Sequence, residues 1–171
     1  MAKRRKRTNA NTPAKGRLRE MADTLWSIAV RSDWNWKCAV CSGSPCDAHH
    51  LIPRANEATR YCLRNGISLC RRCHQFCPKI SPHQNALGWL NWLKQHQELR
   101  HNWYVETVEN GQHLQFRGTT NAPYFCGVIL AFRQYVEPEQ FQKIVGVAFL
   151  KHLIECEKPG ADPAFLSTVE Q

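Results

Sequence analysis

Residues 38–74 read CAVCSGSPCDAHHLIPRANEATRYCLRNGISLCRRCH, and the cysteines and histidines of this stretch decide the fold that we expect. Two Cys-x-x-Cys pairs mark its ends, Cys38 with Cys41 and Cys70 with Cys73. Four thiolates at this local spacing are the ligand set of a structural zinc site. The sequence therefore predicts one tetrahedral zinc ion that joins the two ends of the stretch.

Polar side chains of a different kind lie inside the same stretch. His49 and His50 form a doublet, Asn65 follows, and His74 comes directly after the last cysteine. A closed four-cysteine site has no vacancy for a substrate, so these groups need another explanation. Because adjacent residues of a strand point to opposite faces, one imidazole of the doublet can face a metal and the other a water. We therefore expect a second, open metal site.

The order Cys-x-x-Cys, His-His, Asn, Cys-x-x-Cys-His resembles that of HNH endonucleases with a zinc-bound ββα-metal fold. The segment 54–74 is similar to small phage-encoded members, and 17–31 is weakly similar to phage recombination nucleases of the NinG type. The resemblance covers about residues 31–93. It implies an α+β fold, a zinc-stabilised ββα-metal core flanked by helices. It also implies a DNA phosphodiester hydrolase of phage or prophage origin, acting in recombination, packaging or restriction.

The same resemblance gives each polar residue a role. It implies that His49 and His74 hold a catalytic metal, that His50 is the general base, and that Asn65 braces the loop which orients this base. A neutral imidazole with an ordinary pKa of about 6.5 suits the general base. The metal acts as a Lewis acid and as a template for the phosphate.

The third ligand of this metal is open at the level of the sequence. Relatives often carry it about one helical turn after His74, where this chain has Pro78. Cys77 and His83 are nearby substitutes, and we take His83 as the candidate. Alternatively, two histidines and waters hold the ion, for which we expect Mg²⁺ or Mn²⁺ in preference to Zn²⁺ or Ni²⁺.

Positive charge is concentrated in the first half of the chain. The net charge is +9, made up of +7 in residues 1–20, +5 in 31–79 and −2 in 80–171, with Asp23 supplying the remainder. Residues 1–15 have no apolar periodicity, so we expect a disordered basic arm in which Arg4 and Arg5 contact DNA. A solubilising tail, or a nuclear-targeting signal in a eukaryotic host, is the alternative reading of this arm.

The loop between the histidine doublet and Asn65 carries three arginines that we expect to contact phosphate. They are Arg54, Arg60 and Arg64. By resemblance Arg60 is the best of them, since it matches a Thr-Arg-aromatic signature of the relatives.

Cysteine usage and hydropathy bear on the compartment. The nine cysteines are an odd number, and no apolar run approaches the roughly 18 residues that cross a bilayer. The charged N-terminus is not followed by an apolar segment. We therefore expect metal-binding thiols in a reducing cytoplasm, that of a bacterium or an infected host cell, and no membrane contact.

Apolar periodicity and capping residues predict the remaining elements. We expect helices over 16–32, over 81–97 with Ser81 as N-cap, over about 120–136, and from Glu137 through Leu153. Strands are expected over 48–52 and 67–69, with a helix beginning at Cys70. Asn110-Gly111 suggests a β-hairpin, or alternatively the end of a helix that starts at Glu98.

Three segments follow from this pattern. Residues 1–15 form the arm, 16–110 form the HNH domain, and 111–171 form a C-terminal extension that contains a helical hairpin. This acidic extension is either a docking site for a phage or host protein or a lid on the core. For the whole chain, the alternative to the nuclease is a non-catalytic, zinc-stabilised module that binds nucleic acid or a partner.

Overall fold

The computed structural model describes residues 13–156, and its architecture is α+β, as predicted. The first helix, α1, spans Lys15–Asp33 and agrees with the predicted helix to within a residue at each end. Its apolar side chains recur at helical spacing, so one face is buried. The buried set is Leu18, Met21, Ala22, Leu25, Trp26, Ile28, Ala29 and Val30.

An antiparallel hairpin follows, made of β1 (Cys46–His50) and β2 (Gly66–Cys70). Strand β1 begins and ends two residues earlier than predicted, and β2 is longer than predicted by one residue at each end. A short π-helical turn, Arg72–Phe76, comes after β2 where the sequence predicted the start of a helix. The register pairs Cys46 with Cys70 and His50 with Gly66, so each histidine of the doublet has a fixed partner across the hairpin.

Helix α1 packs directly against the hairpin at Gly66. A Cβ added at this glycine would lie 2.2 Å from Cγ2 of Val30 and 3.0 Å from Cζ2 of Trp26. Both of these α1 side chains are buried. The absence of a side chain at Gly66 therefore allows α1 to approach the strand that pairs with the histidine doublet.

Two helices after the hairpin correct the predicted boundaries. Helix α2 spans Ala86–His96, so the predicted start at Ser81 is wrong; its N-cap is Asn85, whose side chain accepts a hydrogen bond from the N–H of Gly88. Helix α3 spans Glu98–Glu109, so the favoured β-hairpin at Asn110-Gly111 is wrong and the helical alternative is correct. Gly111 follows α3 with φ +61°, a left-handed conformation that suits glycine.

The C-terminal helices share one core with α1. They are α4 (Ala122–Ala131), α5 (Pro138–Val145) and α6 (Val147–Cys156). The helix predicted from Glu137 through Leu153 is divided at Gly146, where φ is +83°. Side chains of all three helices join the apolar face of α1 in one cluster, among them Phe125, Val128, Ile129, Phe141, Phe149 and Leu153. None of the helices in the described part of the chain is long and apolar enough to cross a membrane.

Candidate metal centres at the β-hairpin

The four cysteines of the two Cys-x-x-Cys pairs converge, as the spacing predicts. Their sulfur atoms all lie within 4.8 Å of one another, and Sγ of Cys41 is 3.6 Å from Sγ of Cys70. Four sulfurs around one zinc at about 2.3 Å are separated by about 3.8 Å, which is close to that distance. Cys38 and Cys73 are buried, while Cys41 is exposed at the rim. The cluster therefore fits a metal ion such as zinc.

Backbone turns place the first pair of thiols. The N–H of Cys38 donates to the carbonyl of Gly43, and the N–H of Ser42 donates to the carbonyl of Cys38. Cys46, which lies close in sequence, donates from Sγ to the same Gly43 carbonyl at 3.1 Å. Its sulfur is not among the four that all lie within 4.8 Å of one another. Cys46 therefore stands outside the four-cysteine set.

Three histidines form a second cluster. Nε2 of His74 lies 2.9 Å from Nδ1 of His49 and 3.1 Å from Nε2 of His83. Three nitrogens bound to one zinc at about 2.0–2.1 Å are about 3.3 Å apart, so these distances are those of a shared ion. A single ring nitrogen carries either one hydrogen or one lone pair, and cannot serve two such partners well. One cation contacted by three lone pairs satisfies all of them.

The environment keeps the rings of His49 and His74 neutral. Burial, together with the neighbouring His74 and His83, lowers the pKa of His49 to about 3. Burial and the charge of His83 lower the pKa of His74 as well. Metal ligation needs the unprotonated imidazole, so the electrostatics favour the ligating form.

Ser81 is hydrogen-bonded to the backbone of both His74 and His83, two members of the histidine cluster. Its side chain is fully buried, and Oγ donates to the carbonyl of His74 at 2.7 Å. The same oxygen accepts from the N–H groups of His83 and Gln84. The turn that precedes α2 thus returns His83 to His74. Neither Pro78 nor Cys77 belongs to the cluster.

Helix α2 contacts His49 through Trp89. The ring of Trp89 meets that of His49 edge to face, with 6.2 Å between centroids. Trp89 stacks on Trp92, and Trp92 stacks on His96. Among the apolar residues of α2, Trp89 and Leu93 are buried, whereas Leu87 is 72% exposed.

His50 points to the other side of β1, as alternation along a strand requires. Its ring stacks on Trp26 of α1, with 3.7 Å between centroids and 13° between planes. Nε2 lies 2.9 Å from the carbonyl oxygen of Arg60. A carbonyl only accepts, so Nε2 carries the hydrogen and Nδ1 retains a lone pair. Burial lowers the pKa of His50 to about 4, which keeps the ring neutral.

Asn65 is fully buried beneath the loop that joins the two strands. Its Oδ1 accepts from the N–H of Ile52 at 2.7 Å, and its Nδ2 donates to the carbonyls of Ile52 and Thr59 at 3.0 Å each. These hydrogen bonds connect Asn65 to two points of the loop backbone, Ile52 and Thr59. Asn65 thus braces the backbone and belongs to neither metal cluster.

The predicted phosphate-contacting arginines have different surroundings. Arg54 and Arg64 are exposed, as a phosphate contact requires. Arg60 is only 6% exposed, and its guanidinium donates from Nε and Nη2 to the two carboxylate oxygens of Asp23. This geometry corrects the predicted role of Arg60, because its donors are used inside the protein. Arg4 and Arg5 lie outside the described residues.

Sequence reasoning missed three residues that surround the site. Asp23 and Trp26 lie in the predicted helix 16–32 and were given no role at the site, and Ser81 was predicted only as a helix cap. The available signal was weak: Asp23 is a carboxylate beside the apolar stripe of α1, and the partner Arg60 is 37 positions away.

Comparison with models of protein families, with curated proteins and with solved structures finds no match for this chain.

Proposed function

We propose that this protein is a metal-dependent endonuclease of the HNH type that hydrolyses phosphodiester bonds of DNA. The observation that carries the proposal is the convergence of His49, His74 and His83 beside a neutral His50 with a free lone pair. Two sites divide the work. The four cysteines would hold a structural zinc, and the three histidines would hold a catalytic ion, since catalytic sites commonly have three protein ligands and leave a position for water or substrate.

The chemistry assigns separate roles to the two faces of β1. A divalent ion at the histidine cluster would polarise the scissile phosphate and stabilise the leaving oxygen. Nδ1 of His50 accepts a proton from a water molecule, and the resulting hydroxide forms the new bond to phosphorus. The bond from phosphorus to the leaving sugar oxygen breaks, that oxygen takes up a proton from solvent, and His50 returns its proton to solvent. Asn65 holds the loop whose Arg60 carbonyl orients His50.

The donor set bears on the choice of catalytic ion. Three neutral imidazoles suit zinc, nickel and other transition ions, whereas magnesium prefers oxygen ligands. With His83 as third ligand, the site favours a transition ion over the magnesium expected from the sequence. Manganese, the other expected ion, falls between these classes.

Charge supports DNA as the substrate. The segment 31–79, which contains the four cysteines and two of the three clustered histidines, has a net charge of +5, and the arm that precedes it is still more basic. Arg54 and Arg64, both in the segment between β1 and β2, are exposed. Each phosphate neutralised adds a salt-dependent increment to affinity. We place the activity in a bacterial or phage-infected cytoplasm and keep partner docking by the C-terminal helices as part of the proposal.

A plasmid assay tests the proposal. Metal-stripped protein is reloaded with zinc at the cysteines, then supplied with Zn²⁺, Ni²⁺, Mn²⁺ or Mg²⁺ and supercoiled DNA. We expect relaxed or linear product only with an added ion, and two bound ions per chain. His74→Ala should lose cleavage and one ion, and His101→Ala, a histidine of α3, should behave as wild type. Normal cleavage by His74→Ala would refute the proposal.

A further inference from the structure

His50 is held by two contacts, one with Trp26 of α1 and one with the backbone of Arg60, which is paired with Asp23 of α1, and this points to residues outside the metal clusters. We infer that Trp26 and the Asp23–Arg60 ion pair are positioning residues that hold the imidazole of His50 in one orientation and one tautomer. The inference rests on the proposed function for its catalytic consequence. Its structural part, a single fixed tautomer, stands apart from any activity.

The first contact is the stacking of the His50 imidazole on the indole of Trp26. Trp26 is 3% exposed, and its ring lies nearly parallel to that of His50. Nε1 of Trp26 donates to the carbonyl of Cys62 at 3.2 Å, which fixes the rotation of the indole. One face of the imidazole is therefore covered by a ring that is itself anchored. Rotation of His50 about its side-chain bonds would break this stacking.

The second contact fixes the edge of the ring. The carbonyl that accepts the hydrogen bond from Nε2–H of His50 is that of Arg60. The side chain of Arg60 pairs with α1, the helix that also carries Trp26. Its Nε and Nη2 meet the Asp23 carboxylate at 2.9 and 2.7 Å, and its Nη1 donates to the carbonyl of Arg54. Tyr61 donates from its hydroxyl to Asp23 at 3.0 Å. The backbone at Arg60 is thus anchored through its own guanidinium.

The charges of this network favour the paired form. Burial by itself disfavours the Arg60 cation, but hydrogen bonds and the charge of Asp23 outweigh it and raise the pKa of Arg60. A two-bond arginine–carboxylate pair gives direction as well as energy. Lysine retains the charge but not the planar pair of donors, so Arg60→Lys separates geometry from charge.

Loss of positioning affects the chemical step more than binding. A misplacement of about 1 Å lowers rates by about 100-fold, whereas a contact with substrate would alter affinity. We expect Trp26→Leu and Arg60→Lys to lower kcat by about 10- to 100-fold with KM changed less than about twofold. Trp26→Phe retains an aromatic face and should recover most of kcat.

The experiment measures cleavage kinetics and the His50 tautomer in the same proteins, loaded with zinc. The tautomer is read from ¹⁵N-edited NMR of the imidazole. Wild type should show hydrogen on Nε2 and none on Nδ1, and Trp26→Leu and Arg60→Lys should show a mixture or broadened signals. Phe132→Leu, a change at a fully buried residue of the core that α1 shares with the C-terminal helices, controls for lost stability and should leave both readouts unchanged.

The outcomes separate the two proposals. If wild type cleaves DNA and the positioning variants match it in kcat, the inference is wrong while the nuclease stands. If wild type fails to cleave, the nuclease proposal fails, and the NMR still decides the positioning. A wild-type His50 with hydrogen on Nδ1, or in two tautomers, would overturn the inference in either case.

Discussion

Gly66→Ala tests the close approach of α1 to the hairpin, on which the support of His50 depends. The added Cβ would lie 2.2 Å from Cγ2 of Val30, a distance at which one of the two elements must move. Gly66 has φ −104°, a conformation open to alanine, so the penalty is steric and not conformational. Because Gly66 pairs with His50 across the hairpin, the displacement occurs where Trp26 stacks.

The size of the effect follows from two opposing terms. Overpacking of a buried contact destabilises by about 1–3 kcal/mol, and 2.2 Å belongs at the upper end. Alanine in place of glycine restricts the unfolded chain and returns about 0.4–1 kcal/mol. We expect a net loss of about 2 kcal/mol, which lowers Tm by about 4–8 °C in a chain of this size.

Thermal unfolding followed by circular dichroism, on zinc-loaded protein, measures this loss. Gly16→Ala is the matched control, since a Cβ at Gly16 meets nothing within 4 Å and should leave Tm equal or slightly higher. Val30→Ala added to Gly66→Ala removes the clashing methyls, so the double variant should be more stable than the sum of the two losses predicts. A Tm for Gly66→Ala equal to that of Gly16→Ala would refute the packing argument.

Three further predictions concern the metal clusters and their supports. Cys70→Ser should lose bound zinc and lower Tm, whereas Cys77→Ser, outside both clusters, should retain the zinc measured by elemental analysis. Asn65→Ala should destabilise by about 3 kcal/mol or more in urea titrations, because it leaves buried backbone groups unpaired; Asn56→Ala, whose amide makes one exposed contact, should stay within about 1 kcal/mol. Ser81→Ala should weaken binding of the second ion by about 10- to 100-fold in calorimetry with the cysteine zinc retained. Equal ion affinity for Ser81→Ala and wild type would contradict the role given to this hydroxyl.

Local pattern was sufficient for the parts of the fold that depend on neighbouring residues. The apolar stripe of α1 and the two Cys-x-x-Cys pairs predicted a helix and a four-thiol cluster, and both are present. The β-hairpin predicted at Asn110-Gly111 is wrong, and the reason is instructive. The same dipeptide suits a tight β-turn or a helix end, and only the helical stretch before it, α3, decides between them.

Tertiary partners of Ser81 and Arg60 explain the other differences. Ser81 has every property of an N-cap, yet its hydroxyl binds the His74 carbonyl and α2 begins at Ala86. Arg60 was predicted to face phosphate because its charge and motif suggested it, but Asp23 pairs with it across 37 residues. The Ser81 contact forms when the turn before α2 folds back on His74, and the Arg60–Asp23 pair forms only when α1 packs against the loop, so neither follows from local spacing.

Cleavage by His50→Ala, compared with wild type under the same zinc-loaded, ion-supplemented conditions, tests the central claim most directly. His50 belongs to neither metal cluster, so both ions and DNA affinity should be retained. The account predicts that plasmid cleavage falls by at least about 100-fold, because the water loses its proton acceptor. Undiminished cleavage by His50→Ala would contradict the assignment of the base. Wild-type protein that binds DNA and both ions without cutting would instead identify a non-catalytic binding module.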